Sequence, residues 1–129
     1  LHRLGKKKRT GDNMTVNDVK DLLDASVITG QTMLSREVRT ACGSDLMSDV
    51  LAYIKDNAVL LTGLNNPQVV STADIMGIVC IVFVRGKTPD ESIISLASEV
   101  NLPVLATNLR MFEACGRLYE AGLGGNRQI

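Results

Sequence analysis

Seven consecutive residues, Ile78-Val79-Cys80-Ile81-Val82-Phe83-Val84, are all apolar and lie between two segments of helical periodicity. A membrane span needs about 20 such residues, so this run is far too short to cross a bilayer. Its length and β-branched content predict a strand. No position alternates to a polar residue, so both faces of that strand must be covered. A strand of this kind belongs at the centre of a parallel sheet with helices above and below.

The flanking sequence supplies those helices. Asn66 can cap a helix whose first residue is Pro67, carrying Val69, Val70, Ala73 and Met76 as far as Gly77. Beyond the apolar run, Thr88 as N-cap and Pro89 at the first position predict a helix bearing Ile93, Ile94, Leu96, Ala97 and Val100. Ala58–Thr62 and Pro103–Ala106 read as further strands. A last helix, capped by Thr107 or Asn108, runs through Met111, Phe112, Cys115, Leu118 and Tyr119 to Gly122. Strand and helix thus alternate from residue 58 onward.

The first half is less regular. Thr15 can cap a helix through Val16, Val19, Leu22 and Leu23, with Asp18 at its positive end. Ala25–Thr29 reads as a short strand ended by Gly30, and Arg36–Cys42 as one half-buried strand. Ser44 or Ser48 begins a helix with Leu46, Met47, Val50, Leu51 and Ile54 on one face, ended by Asn57. The expected class is α/β: a three-layer domain with a mainly parallel sheet of about five strands and helices on both faces.

Composition narrows the function. The 129 residues suit one domain. Aromatic content of 3%, without Trp, forces an aliphatic core and removes stacking platforms for single-stranded nucleic acid. The formal net charge of zero hides an asymmetry. Residues 1–13 carry Arg3, Lys6, Lys7, Lys8 and Arg9 against Asp12, which leaves the remainder net acidic. The basic segment 1–13 reads as a cloning remnant ahead of a native start at Met14. The competing reading is a tail for an anionic partner. The domain is then 14–122, with 123–129 as a flexible C-terminal tail. Cys42, Cys80 and Cys115 form no CxxC pair and sit in apolar sequence, as expected of free thiols in a reducing cytoplasm.

Motifs with catalytic chemistry are missing or incomplete. Gly86-Lys87-Thr88 invites comparison with a phosphate-binding P-loop, but the glycine required five residues earlier is Ile81. No GxGxxG follows a strand. The only histidine, His2, lies in the basic segment, so the body holds no imidazole base. Asp18, Asp21 and Asp24 read as a solvated helix face. No catalytic residue, metal or cofactor is expected. The alternative is a small phosphotransfer enzyme using the Gly86-Lys87-Thr88 loop, with Asp90 and Glu91 as metal carboxylates.

Position points elsewhere. In open parallel sheets, ligands sit beyond the carboxyl ends of the strands. The segments there contribute Gly63, Asn65, Asn66, Arg85, Gly86, Lys87, Thr107 and Asn108, a candidate crevice for a small anion. The competing reading makes Asn66, Thr88 and Thr107 or Asn108 ordinary helix caps.

Residues 14–122 resemble the DRTGG domain, which is similar to the N-terminal domain of HPr kinase/phosphorylase. The resemblance is carried by MTVNDVKDLLDASVITG, by AVLLTGLNNPQVVSTADIMGIVCIVFVRGKTPDESIISLASEVNLPVLATN and by MFEACGRL. The family's Asp-Arg pair falls on Asn65 and Asn66. Its Thr-Gly-Gly turn falls on Val84, Arg85 and Gly86, of which only Gly86 matches. A polar family position falls on Thr107 or Asn108. The resemblance implies a non-catalytic regulatory or ligand-sensing module of the bacterial cytoplasm, self-associating as a homodimer. It also implies a small anionic or nucleotide-like ligand, or a protein partner. Membrane attachment is not implied, and the acidic body argues against nucleic acid.

Overall fold

The computed structural model describes residues 13–53 and 56–123. The basic run Arg3–Arg9, Ile54 and the tail from Gly124 lie outside the described residues.

The apolar run forms β6 (Cys80–Phe83), every residue of which is fully buried. It pairs in parallel with β5 (Ala58–Thr62) on one side and β7 (Val104–Ala106) on the other. β4 (Thr40–Gly43) extends the sheet in parallel beyond β5. β2 (Ser26–Thr29) closes the other edge antiparallel to β7, giving the order β2-β7-β6-β5-β4. Side chains alternate across the sheet as the pleat requires. Cys80, Val82 and Val84 join a cluster with α1 (Val16–Leu22) and α5 (Met111–Glu120). Ile81 and Phe83 join a second cluster with α2 (Met47–Tyr53), α3 (Gln68–Met76) and α4 (Glu91–Glu99). The result is the expected three layers with a mainly parallel five-stranded sheet. From β4 to β7 the chain steps in one direction, and all three connecting helices lie on one face, as crossovers of a single hand require. No helix among the described residues is long and apolar enough to cross a membrane.

Several local expectations hold. Thr15 and Asp18 form a reciprocal capping box at α1. The Asn66 side chain accepts from the Gln68 N–H at 2.8 Å, and Pro67 already has helical φ and ψ. Gly77 ends α3 in the left-handed conformation.

Others are corrected. The single strand expected over Arg36–Cys42 divides at Arg39. β3 (Glu37–Val38) pairs antiparallel with β1 (Met14–Thr15), while β4 joins the main sheet. The Arg39 and Thr40 N–H groups converge on the Asn57 carbonyl, which marks the change of partner. Ser44, not Ser48, heads α2, accepting from the Leu46 N–H at 2.9 Å. Leu46 and Leu51, expected on one face with Met47 and Val50, are exposed while those two are buried. Helix α4 starts at Glu91 rather than at Thr88-Pro89, because Asn65 holds the Asp90 N–H at 3.1 Å in extended backbone. Helix α5 starts at Met111, with Arg110 and not Thr107 or Asn108 at the N-cap. Asp24 lies past the end of α1 at φ 51° and pairs with Arg117 at 3.4 Å, so the three aspartates share no single helix. Leu123, placed at the head of the tail, is buried in the core cluster with its N–H on the Leu118 carbonyl.

Two outcomes follow from this packing. Phe83→Ala is expected to cost about 3–5 kcal/mol in urea unfolding, whereas the exposed Phe112→Ala should change stability by less than about 0.5 kcal/mol. The second concerns Cys80, whose thiol burial pushes far above its ordinary range; burial raises Cys42 and Cys115 as well. Above about pH 8.5 the unfolded chain releases thiol protons that the folded chain keeps, so the unfolded state binds fewer protons. Stability should therefore fall as pH rises through that point, by up to about 1.4 kcal/mol per pH unit for the fully buried Cys80. Denaturant titrations between pH 8 and 10 should show a shallower fall for Cys80→Ala than for the parent.

Candidate functional site

The carboxyl ends of β5, β6 and β7 lie side by side. The connection after β6 leads to α4 on one face, and the connection after β7 leads to α5 on the other. Divergence of this kind opens a crevice in doubly wound sheets. Here main-chain hydrogen bonds bridge it. The Arg85 N–H donates to the Leu109 carbonyl at 2.7 Å, and the Gly86 N–H to the Thr107 carbonyl at 2.9 Å. The Lys87 N–H closes a turn on the Val84 carbonyl at 3.3 Å. Arg85 and Gly86 have φ of 64° and 69°, the pattern of a type I′ turn. All three amides of the Arg85-Gly86-Lys87 stretch are thus spent inside the domain. The stretch forms no phosphate cradle of the kind a P-loop requires.

Charge at this edge is carried by side chains. The Arg85 guanidinium reaches from β6 across to the end of β5 and lies on Gly63. A Cβ at Gly63 would stand 2.5 Å from Nη2, so a larger residue there would push the guanidinium off this position. The guanidinium meets Asp45 at 3.9 Å, with both side chains nearly half exposed. At that exposure and distance the ion pair is a weak tether. Asp45 is better held. Its Oδ1 accepts from the Gly63 N–H at 2.6 Å and from the Thr62 hydroxyl at 3.1 Å. Next to it, Asn65 and Asp90 exchange two hydrogen bonds, side chain to side chain at 3.2 Å and Asp90 N–H to Asn65 Oδ1 at 3.1 Å.

The structure thus gathers most of the proposed crevice but gives its members different tasks. Gly63, Asn65 and Arg85 lie together, tied by Asp45 and Asp90. Gly86 and Asn108 adjoin, the Asn108 Oδ1 standing 3.1 Å from where a Gly86 Cβ would be. Lys87 and Asn108 are exposed, and their side chains hold no hydrogen-bond partner among the described residues. Asn66 is occupied as the α3 cap. Thr107 is buried: its hydroxyl donates to the Leu23 carbonyl at 2.7 Å and accepts from the Leu109 N–H at 3.2 Å. It positions the loop and presents nothing to solvent. Asp45 escaped the sequence reading. Its signal was the Ser44-Asp45 step directly after β4, which parallel pairing sets beside Thr62 and Gly63. Among the described residues no group of His, Cys, Asp and Glu could hold a metal ion.

Fold and edge together define a class: a three-layer α/β domain whose polar loops meet at the carboxyl end of its parallel strands. Residues 18–121 match the family model of the DRTGG domain, and the chain belongs to that family. Among solved structures, it is similar to the CBS and DRTGG domains of the regulatory region of Clostridium perfringens pyrophosphatase, a structure complexed with the activator diadenosine tetraphosphate. The TM-score is 0.66 at 15% identity, over 83% of this chain. The chain spans less than half, 46%, of that structure's length. No curated protein matches the chain significantly.

Because Thr107 satisfies a buried carbonyl, Thr107→Val should lower stability by about 1–3 kcal/mol in thermal or urea unfolding. The same measurement on Asn108→Ala, at an exposed position, should show a change within about 0.5 kcal/mol.

Proposed function

We propose that the chain is a non-catalytic regulatory DRTGG domain that senses a small anionic, nucleotide-like ligand at the carboxyl end of its sheet. In this reading it works as a homodimer in the bacterial cytoplasm, and its liganded state is read by a partner protein. The observation that carries the ligand claim is the placement of Arg85. A left-handed turn fixes its backbone, glycine clears space for its guanidinium, and a weak contact to Asp45 leaves donors available. Anions favour such a group because a charge-assisted hydrogen bond is about twice as strong as a neutral one. Lys87 adds a second positive charge on the same turn. Asn65 and Asn108 supply amides for the uncharged part of the ligand.

The regulatory region from Clostridium perfringens takes diadenosine tetraphosphate as its activator. That makes a nucleotide polyphosphate the first compound to test on this chain. The phosphotransfer alternative gains no support, since the amides of its loop are committed elsewhere and α4 begins after Asp90. Three free cysteines, one fully buried, agree with a reducing compartment.

Calorimetric titration with diadenosine tetraphosphate, ATP, an acyl phosphate and a phosphosugar tests the ligand claim. Saturable heat is expected for at least one. Arg85→Ala should then weaken binding roughly 10- to 100-fold, the loss expected of one charge-assisted hydrogen bond. Absence of saturable binding to all four would remove the sensing role and leave protein recognition alone.

A further inference from the structure

We propose that Thr88 is a phosphorylation site, and that its phosphate, once attached, is captured by Arg85 and Lys87 and closes the anion site to free ligand. The inference rests on the sensing role above and names how that site is regulated.

The segment from Arg85 to Asp90 links β6 to α4 and is fastened at both ends to the connection after β5. At one end the Arg85 guanidinium lies against Gly63. At the other, Asp90 exchanges two hydrogen bonds with Asn65. Pro89 is buried and anchors the segment from within. Between these anchors Thr88 is exposed, in backbone that belongs to neither helix nor strand. Thr88-Pro89 has the chemistry of a helix start, yet α4 begins at Glu91 with Asp90 at the N-cap. The Thr88 hydroxyl is therefore left over, without a hydrogen-bond partner among the described residues. An exposed, unengaged hydroxyl on a pinned loop is open to an enzyme that transfers phosphate.

The neighbouring cations are uncommitted as well. The Arg85 guanidinium donates no hydrogen bond among the described residues, since its contact with Asp45 at 3.9 Å is too long for one. Lys87 has neither a hydrogen bond nor an ion pair for its ammonium among them. The two stand three and one residues ahead of Thr88, a charge pattern that suits a protein kinase with an acidic substrate groove.

In the transfer, the Thr88 Oγ bonds to the γ-phosphorus of ATP held by that kinase. The bond to the ADP oxygen breaks, ADP leaves, and the hydroxyl proton passes to the base of the kinase. The product carries about two negative charges and three acceptor oxygens. Its own segment then offers it a guanidinium with open donors and an ammonium, partners for charge-assisted hydrogen bonds. It also stands two residues ahead of the N-cap of α4, at the positive end of that helix. Asp45, Asp90 and Glu91 are the carboxylates that oppose it. Of these, Asp45 holds the guanidinium only weakly, and one Asp90 oxygen already accepts from Asn65. A tethered phosphate has a higher effective concentration than a free ligand and so takes the same donors first.

The test uses the full chain in a Thr10→Ala background, which removes the hydroxyl that follows the basic run Lys6–Arg9. Treatment with ATP and a serine/threonine kinase that prefers basic substrates should place phosphate on Thr88, read by peptide mass spectrometry. Phosphothreonine introduced at position 88 during synthesis then lets the Arg85→Ala variant carry the group too. At low salt this phosphate should raise the thermal midpoint by roughly 3 °C or more. Arg85→Ala should abolish that rise, and added salt should reduce it. Phosphorylation should weaken diadenosine tetraphosphate binding roughly tenfold or more, while unmodified Thr88→Ala binds as the parent does. No phosphate on Thr88 after kinase treatment overturns the proposal, as does a thermal shift that survives Arg85→Ala. Nucleotide binding that phosphorylation leaves unchanged overturns the regulation and spares the sensing role. Capture of the phosphate by a chain that binds no nucleotide when unmodified removes the sensing role and upholds Thr88 as the site.

Discussion

The two-sided burial of β6 is the constraint on which the architecture depends. Four residues with no exposed surface must be sealed by helices on each face, and those helices must come from the chain on either side. Ile81 and Phe83 require the layer of α2, α3 and α4, while Cys80, Val82 and Val84 require α1 and α5. The aliphatic composition suits this design. Val, Ile and Leu fill a parallel sheet from both sides without bringing polar atoms that need partners.

That packing also decides what the carboxyl end of the sheet can offer. A crevice opens where successive connections leave toward opposite layers, here between β6 and β7. The chain closes it with its own amides at Arg85 and Gly86. In the proposed sensing role, recognition moves from main chain to side chain, onto Arg85 and Lys87. A glycine-rich loop that cradles phosphate with its backbone selects by shape. In that role a guanidinium tethered to Asp45 would select by charge, exchanging one partner for another.

Much of the fold was legible in the sequence because its strands are short apolar blocks punctuated by Gly, Asn and Pro. The capping box at Thr15, the Asn66-Pro67 helix start and the seven-residue core run are local signals, and the structure contains each of them. The failures were not local. Thr88-Pro89 has the chemistry of a helix start, but Asn65, distant in sequence, holds Asp90 extended. Thr107 has the chemistry of a cap, but its hydroxyl is claimed by Leu23. Asp45 acquires its place only when β4 and β5 pair. The division of Arg36–Cys42 was likewise hidden, since alternation records burial and not which strand is the neighbour. The family's Thr-Gly-Gly position also becomes intelligible. Arg85 and Gly86 both have positive φ, which glycine adopts at no steric cost and arginine does at some.

The one-directional order of the strands bears on how the chain folds. From β4 to β7 each strand lies beside the next in sequence, so this part can assemble by short steps with little loop entropy lost at each. The first segment of the chain has to wait. β2 pairs with β7 across Ser26 and Ala106, Thr107 bonds Leu23, and Arg117 bonds Leu22. These contacts join the beginning of the domain to its end, and they can form only when almost all of the chain is present. On a ribosome, the sheet of four parallel strands would therefore be laid down in order, and α1 with β2 would remain unsheltered until β7 and α5 emerged. The same few contacts fasten the domain shut, so it completes its fold at the place where its two ends meet.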